Sequence, residues 1–303
     1  MTYCVAMRLH AGLLFASDSR TNAGVDQIAT YRKMSVFEQP GERLITLLSA
    51  GNLATTQSVV SLLRQRIAHE PEHLFNRRSM FDVAELVGRT VKEVVARDAS
   101  EQTQAQGVDF GANFIVGGQL QGEEPRLFHV YAQGNFIEAS EDTPYFQIGE
   151  SKYGKPIIDR VVSPGLPLDE AAKCALISMD STLKSNISVG LPLDLLVYET
   201  NSLRVTRFVA IDEENPYFAM IRGTWGKRLR QVFAEIDDPD WETHTSPAHP
   251  LRREGHPSTK VEPVRIAPPA ADAPAAPQRA PGPVFEQVAT LQRVAGSGSQ
   301  ESN

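Results

Sequence analysis

Apolar positions in this chain come first in runs of strand length and only later at helical spacing. Residues 3–9 and 13–17 read as two strands joined by the short turn His10-Ala11-Gly12. After a polar link, 19–30, a second hairpin is expected from 33–37 and 44–49 around Gln39-Pro40-Gly41-Glu42. Proline presets φ in such a turn and glycine tolerates positive φ. Four consecutive strands with no helix between them argue against a parallel, doubly wound sheet. The period then changes. Leu53, Val59, Val60, Leu62, Leu63 and Ile67 form one stripe behind Asn52 as N-cap, and Phe81, Val83, Leu86, Val87, Val91, Val94 and Val95 form another behind Ser79. The polar stretch 98–111 is expected to be a loop.

Strand-length runs resume at 113–119, 126–132, 136–138 and 146–149. Helices are expected at 153–162, kinked or started at Pro156, and at 168–183, whose Asp169-Glu170 first turn suits the positive end of the helix dipole. Strands at 193–199 and 203–211 close the set, and 218–236 reads as a terminal helix despite Gly223 and Gly226. This order fits an α+β chain in which two antiparallel sheets stack face to face under helices.

Composition divides the chain. Ten of its twenty prolines lie from Pro247 onward, among alanines and a final Gly296-Ser297-Gly298-Ser299. So little apolar surface cannot offset chain entropy, so 239–303 is expected to be a Pro/Ala-rich disordered tail. The remaining domain, 1–238, can bury on the order of 70% of its unfolded surface. Net charge is −7, with Lys and Arg scattered among acids, which argues against a nucleic-acid partner. Two cysteines, Cys4 and Cys174, are too few for a disulfide framework and suit a reducing, cytoplasmic setting. No run of eighteen apolar residues spans a membrane. The histidines show no ligand spacing, so neither a metal nor a cofactor is expected.

The chemistry concentrates at the start. Met1 leads directly into the first strand, with no signal sequence expected ahead of it. If Met1 is removed, Thr2 carries a nucleophilic hydroxyl and its own base, an α-amine of reference pKa about 8. A cation to tune that amine and a carboxylate to hold the cation are then wanted. Pairing of the first two strands brings Asp18, after the second, close to Thr2, and Lys33 stands in Tyr31-Arg32-Lys33-Met34. Neighbouring strand residues face opposite sides, so only one of Arg32 and Lys33 can point at Thr2.

Thr2, Asp18-Ser19-Arg20, Lys33-Met34 and the small-residue turn Ser49-Ala50-Gly51 together resemble the proteasome β-subunit family of N-terminal-nucleophile hydrolases, most closely its bacterial ancestral branch, Anbu. The resemblance runs from Thr2 to about Asp238 and implies a four-layer αββα sandwich. It selects Lys33 through the lysine-plus-aliphatic pair and implies that Gly51 supplies the oxyanion hole. The family's glycine-serine-glycine turn falls at Gly149-Glu150-Ser151, where serine stands one place later, and Ser151 is the candidate for its role. Asp180 matches an aspartate that backs the nucleophile, with a plain helical aspartate as the alternative, and Ser185 matches a following serine if a small insertion is allowed.

The implied activity is threonine-type endopeptidase action on a peptide or unfolded-protein substrate, inside a ring-like or helical homo-oligomer and with an unfoldase partner. Two other readings stay open: a catalytically weak or inactive scaffold, and an amidohydrolase acting on small amides.

Overall fold

In the computed structural model, residues 2–22, 28–99 and 109–239 are described. The opening hairpin is β1 (Tyr3–Leu9) and β2 (Gly12–Asp18). Where a polar link was expected, β3 (Arg20–Asn22) and β4 (Ile28–Thr30) form a small two-stranded ribbon. The ribbon belongs to neither main sheet, so no apolar alternation marks it. Next come β5 (Met34–Gln39) and β6 (Arg43–Gly51). Asn52 and Ser79 cap α1 (Leu53–His69) and α2 (Met80–Asp98) by accepting from Thr55 N and Asp82 N. The rest of the expected 98–111 loop lies largely outside the described residues.

The second half contains β7 (Ala112–Leu120), β8 (Arg126–Val130), β9 (Phe136–Glu138) and β10 (Tyr145–Gly149). Then follow α3 (Lys155–Val161), with proline in its first turn, and α4 (Leu168–Ser185). Last come β11 (Leu193–Glu199), β12 (Arg207–Ile211) and α5 (Pro216–Glu235). β12 starts four residues later than its apolar run predicts, because Asn201 and Leu203 take left-handed φ values of 65° and 45°.

All pairings are antiparallel, in sheets ordered β10-β1-β2-β11-β12 and β5-β6-β7-β8-β9. Alternation sends Val5, Met7 and Leu14 toward α4, while Cys4, Ala6, Leu13 and Phe15 meet Leu44, Leu48 and Ile115 between the sheets. On the far side Ile45, Leu47 and Phe114 pack against Val59, Leu63 and Val87 of α1 and α2. The result is the αββα sandwich.

Only the start of α5 joins this core, through buried Phe218 and Ile221, while Leu229, Val232, Phe233 and Ile236 are exposed at and beyond its far end. The chain divides into residues 1–238 and 239–303, and the expected tail lies, from 240 on, outside the described residues. Among the described residues no helix is long and apolar enough to cross a membrane.

Candidate functional site

Strand register places the beginning of the chain. β1 lies between β2 and β10, with Cys4 opposite Ser17 and Tyr3 opposite Gly149, so Thr2 emerges between the ends of its two neighbours. The Glu150 N–H donates to Thr2 O at 2.7 Å. At Gly149, φ is 80° and a Cβ would lie 2.0 Å from Thr2 O, so only glycine permits this approach.

On the other flank Asp18 is fully buried. Its Oδ1 accepts from Tyr3 N at 3.0 Å and from Lys33 Nζ at 2.6 Å, and its Oδ2 accepts from Gly190 N at 3.3 Å. Lys33 also donates to Arg20 O at 2.8 Å. Burial pushes the Asp18 carboxyl up from its ordinary value, while the Lys33 ammonium and the two backbone N–H groups act in the opposite direction. Arg32 faces the other way, its guanidinium 5.6 Å from the centre of the Phe208 ring.

Thr2, Lys33, Gly51 and Glu150 line one cavity of about 510 Å³, together with Arg20, Tyr31 and Ser49. Gly51 is the last residue of β6 rather than the first of α1, with φ 114° and with space for a Cβ closed by Gly111 O at 2.4 Å. Ser49 N donates to Lys33 O and Asn52 N to Gly111 O, on opposite sides of β6. By the alternation of the ladder, the Gly51 N–H points to the Lys33 side, just past the start of β5 and into the cavity wall. A donor there can meet negative charge developing on a carbonyl oxygen.

Other expected residues fall outside the cavity lining. Ser151 opens a 3-10 turn, and Gly154 N donates to its carbonyl. Asp180 lies within α4 and outside the cavity lining. α4 continues to Ser185, so Asp180 is five residues from the helix end, with its buried carboxylate 3.0 Å from Lys184 Nζ and 3.4 Å from Arg222 Nε of α5. Ser185 is exposed on the last turn of α4.

The loop after α4 is what reaches the site. Asn186 Nδ2 donates to Glu150 Oε2, Asn186 Oδ1 accepts from Ser188 N at 2.9 Å, and Gly190 N holds Asp18. Sequence reasoning missed Glu150, Asn186 and Gly190. A signal was present in Glu150, the residue that interrupts the expected glycine-serine-glycine turn. Behind β1 the Tyr3 hydroxyl shares a 2.5 Å hydrogen bond with Ser178 Oγ and accepts another from Gln147 Nε2 at 2.5 Å. No group of three or more His, Cys, Asp or Glu side chains suited to a metal occurs among the described residues.

Residues 2–193 match the proteasome subunit family. The chain is similar in structure to Anbu, the ancestral β-subunit, from Yersinia bercovieri, at 58% identity and a TM-score of 0.75, covering 79% of this chain and 99% of that one. Anbu from Hyphomicrobium sp. strain MC1 is 50% identical with a TM-score of 0.71, covering 79% and 100%. The Anbu complex from Pseudomonas aeruginosa, solved as a helical assembly, is 50% identical with a TM-score of 0.76, covering 80% and 99%. No curated protein matches. Sequence, fold and relatives agree that this chain belongs to the proteasome family, in its ancestral β-subunit (Anbu) branch.

Proposed function

We propose that the chain is a threonine-type peptidase. After removal of Met1, Thr2 Oγ attacks the carbonyl carbon of a peptide bond, and the α-amine takes the hydroxyl proton, directly or through a water. The Gly51 N–H stabilises the oxyanion. Collapse of the tetrahedral adduct expels the substrate amine, which leaves with a proton, and an ester on Thr2 remains for water to hydrolyse. Lys33 favours the neutral amine through its charge, and Asp18 fixes Lys33. The observation that carries this reading is the buried Lys33–Asp18 pair, tied to the Tyr3 N–H and bordering the cavity that Thr2 and Gly51 line.

The substrate is an extended peptide or unfolded protein, and the enzyme works in the cytoplasm as a homo-oligomer, supplied by an unfoldase. The helical assembly of the Pseudomonas relative and the exposed apolar residues of α5 support self-association. The test begins with intact mass, to show Met1 removed, followed by labelling with a β-lactone or epoxyketone and peptide mapping. An adduct on Thr2 that disappears in Thr2→Ala, with parallel loss of peptide hydrolysis, is expected. A processed protein that takes no label and cleaves no peptide rules the reading out.

A further inference from the structure

A second carboxylate borders this cavity, and the mechanism above leaves it without a task. Glu150 follows the glycine that touches Thr2, and its own N–H is hydrogen bonded to the Thr2 carbonyl. Its side chain is 12% exposed, although it lies on the wall of an open cavity. Asn186 orients one carboxylate oxygen, and Lys152 Nζ stands 3.6 Å from the other. Asn186 begins the same loop whose Gly190 N–H holds Asp18. One loop therefore fixes the carboxylates on both flanks of Thr2: Asp18 toward β2, and Glu150 toward β10.

We infer that Glu150 is a positioning residue for the α-amino group of Thr2, accepting a hydrogen bond from it and opposing the effect of Lys33 on its charge. The inference rests on the reading of Thr2 as the nucleophile. An amine placed between an ammonium and a carboxylate titrates at a midpoint set by both: Lys33 favours loss of the proton, and Glu150 favours its retention. The other charged groups facing the site enter the same balance, the Arg20 and Lys152 cations acting in the sense of Lys33 and the Asp18 carboxylate in the sense of Glu150. Asp18 is paired with Lys33, Arg20 donates to Ile187 O, Lys152 faces Glu150, and Tyr31 is a neutral phenol at working pH. A hydrogen bond to Glu150 also fixes which way the amine's lone pair can point once the proton leaves, and so whether it can receive the proton of its own hydroxyl.

The test uses the full chain with Met1 removed and 13C-labelled threonine. The pH dependence of the Thr2 Cα and Cβ resonances, assigned by comparison with Thr2→Ser, reports the amine directly and needs no turnover. Gln at position 150 keeps an acceptor for Asn186, so Glu150→Gln is expected to fold with an unchanged melting temperature. Its amine midpoint is expected to fall by about one pH unit, and Glu150→Asp to restore part of the shift. The acid limb of Thr2 labelling by a β-lactone moves with it. An identical midpoint in wild type and Glu150→Gln overturns the inference. A shifted midpoint in a protein that cleaves no peptide sinks only the peptidase reading. Retention of Met1 in every preparation sinks both.

Discussion

Lys33 Nζ and the Tyr3 N–H meet on one atom, Asp18 Oδ1, at 2.6 Å and 3.0 Å. The position of the ammonium is thereby referenced to the backbone of the residue next to Thr2. Because Lys33 is 6% exposed and Asp18 fully buried, the pair behaves as a unit. Lys33→Ala leaves an unpaired buried carboxylate and is expected to cost about 3–5 kcal/mol. The double variant Asp18→Asn, Lys33→Met should recover most of that in chemical denaturation while peptide hydrolysis stays down by about 100-fold or more. Equal destabilisation of single and double variants contradicts this coupling.

Two glycines with the same φ separate strain from contact. Gly41 and Gly149 both have φ 80°, but a Cβ at Gly41 meets nothing within 4 Å, whereas at Gly149 it meets Thr2 O at 2.0 Å. Gly41→Ala is expected to cost about 1–2 kcal/mol and leave Thr2 labelling intact. Gly149→Ala is expected to cost more and to abolish labelling, since the end of β10 must move away from Thr2. The comparison is read by denaturation and peptide mapping on both variants.

The thiol two residues from Thr2 is a poor competitor for electrophiles. Cys4 is fully buried between the sheets, its thiol donates to Ser49 O at 3.7 Å, and burial pushes its pKa far above the usual thiol range. Burial also pushes Cys174 up to about 11. Only thiolate reacts readily. Native protein treated with iodoacetamide at mildly alkaline pH should keep both cysteines unmodified, and denatured protein should lose both.

His129 makes stability depend on pH. Burial lowers its pKa from the ordinary 6.5, and its ring packs 4.3 Å from Tyr131 and 5.7 Å from Phe146. A folded pKa below the unfolded one means that the unfolded chain binds the proton first. Its stabilising contribution is therefore complete above about pH 6.5 and is lost as pH falls through the folded value. Melting temperatures of wild type and His129→Phe should lie close together at pH 7.5 and diverge at pH 5, the wild type showing the steeper fall.

Phe233 is 80% exposed near the end of α5. Phe233→Glu is expected to change monomer stability by no more than about 0.5 kcal/mol. It should nevertheless shift sedimentation toward smaller species, if α5 packs on another copy.

The part of the site legible in the sequence is the part carried by strands. An apolar hairpin at the chain start fixes by its register that Asp18 lies beside the residue before Tyr3, and alternation separates Lys33 from Arg32. What escaped depends on contacts between segments distant in the chain. Glu150 reads as an interruption because its N–H bond to Thr2 O joins positions 148 residues apart. Helical periodicity does not show where α4 stops, nor that Arg222 approaches Asp180 from α5. Asn186 and Gly190 carry no apolar pattern at all, since their task is to end a helix and present a backbone N–H.

The position of Thr2 at the mouth of β1 has a practical side. Any affinity handle fused ahead of it would begin from the wall of the roughly 510 Å³ chamber, beside Lys33 and Glu150. It would occupy the space a ligand needs and cap the amine under study. Recombinant material for these assays is best purified through its opposite terminus.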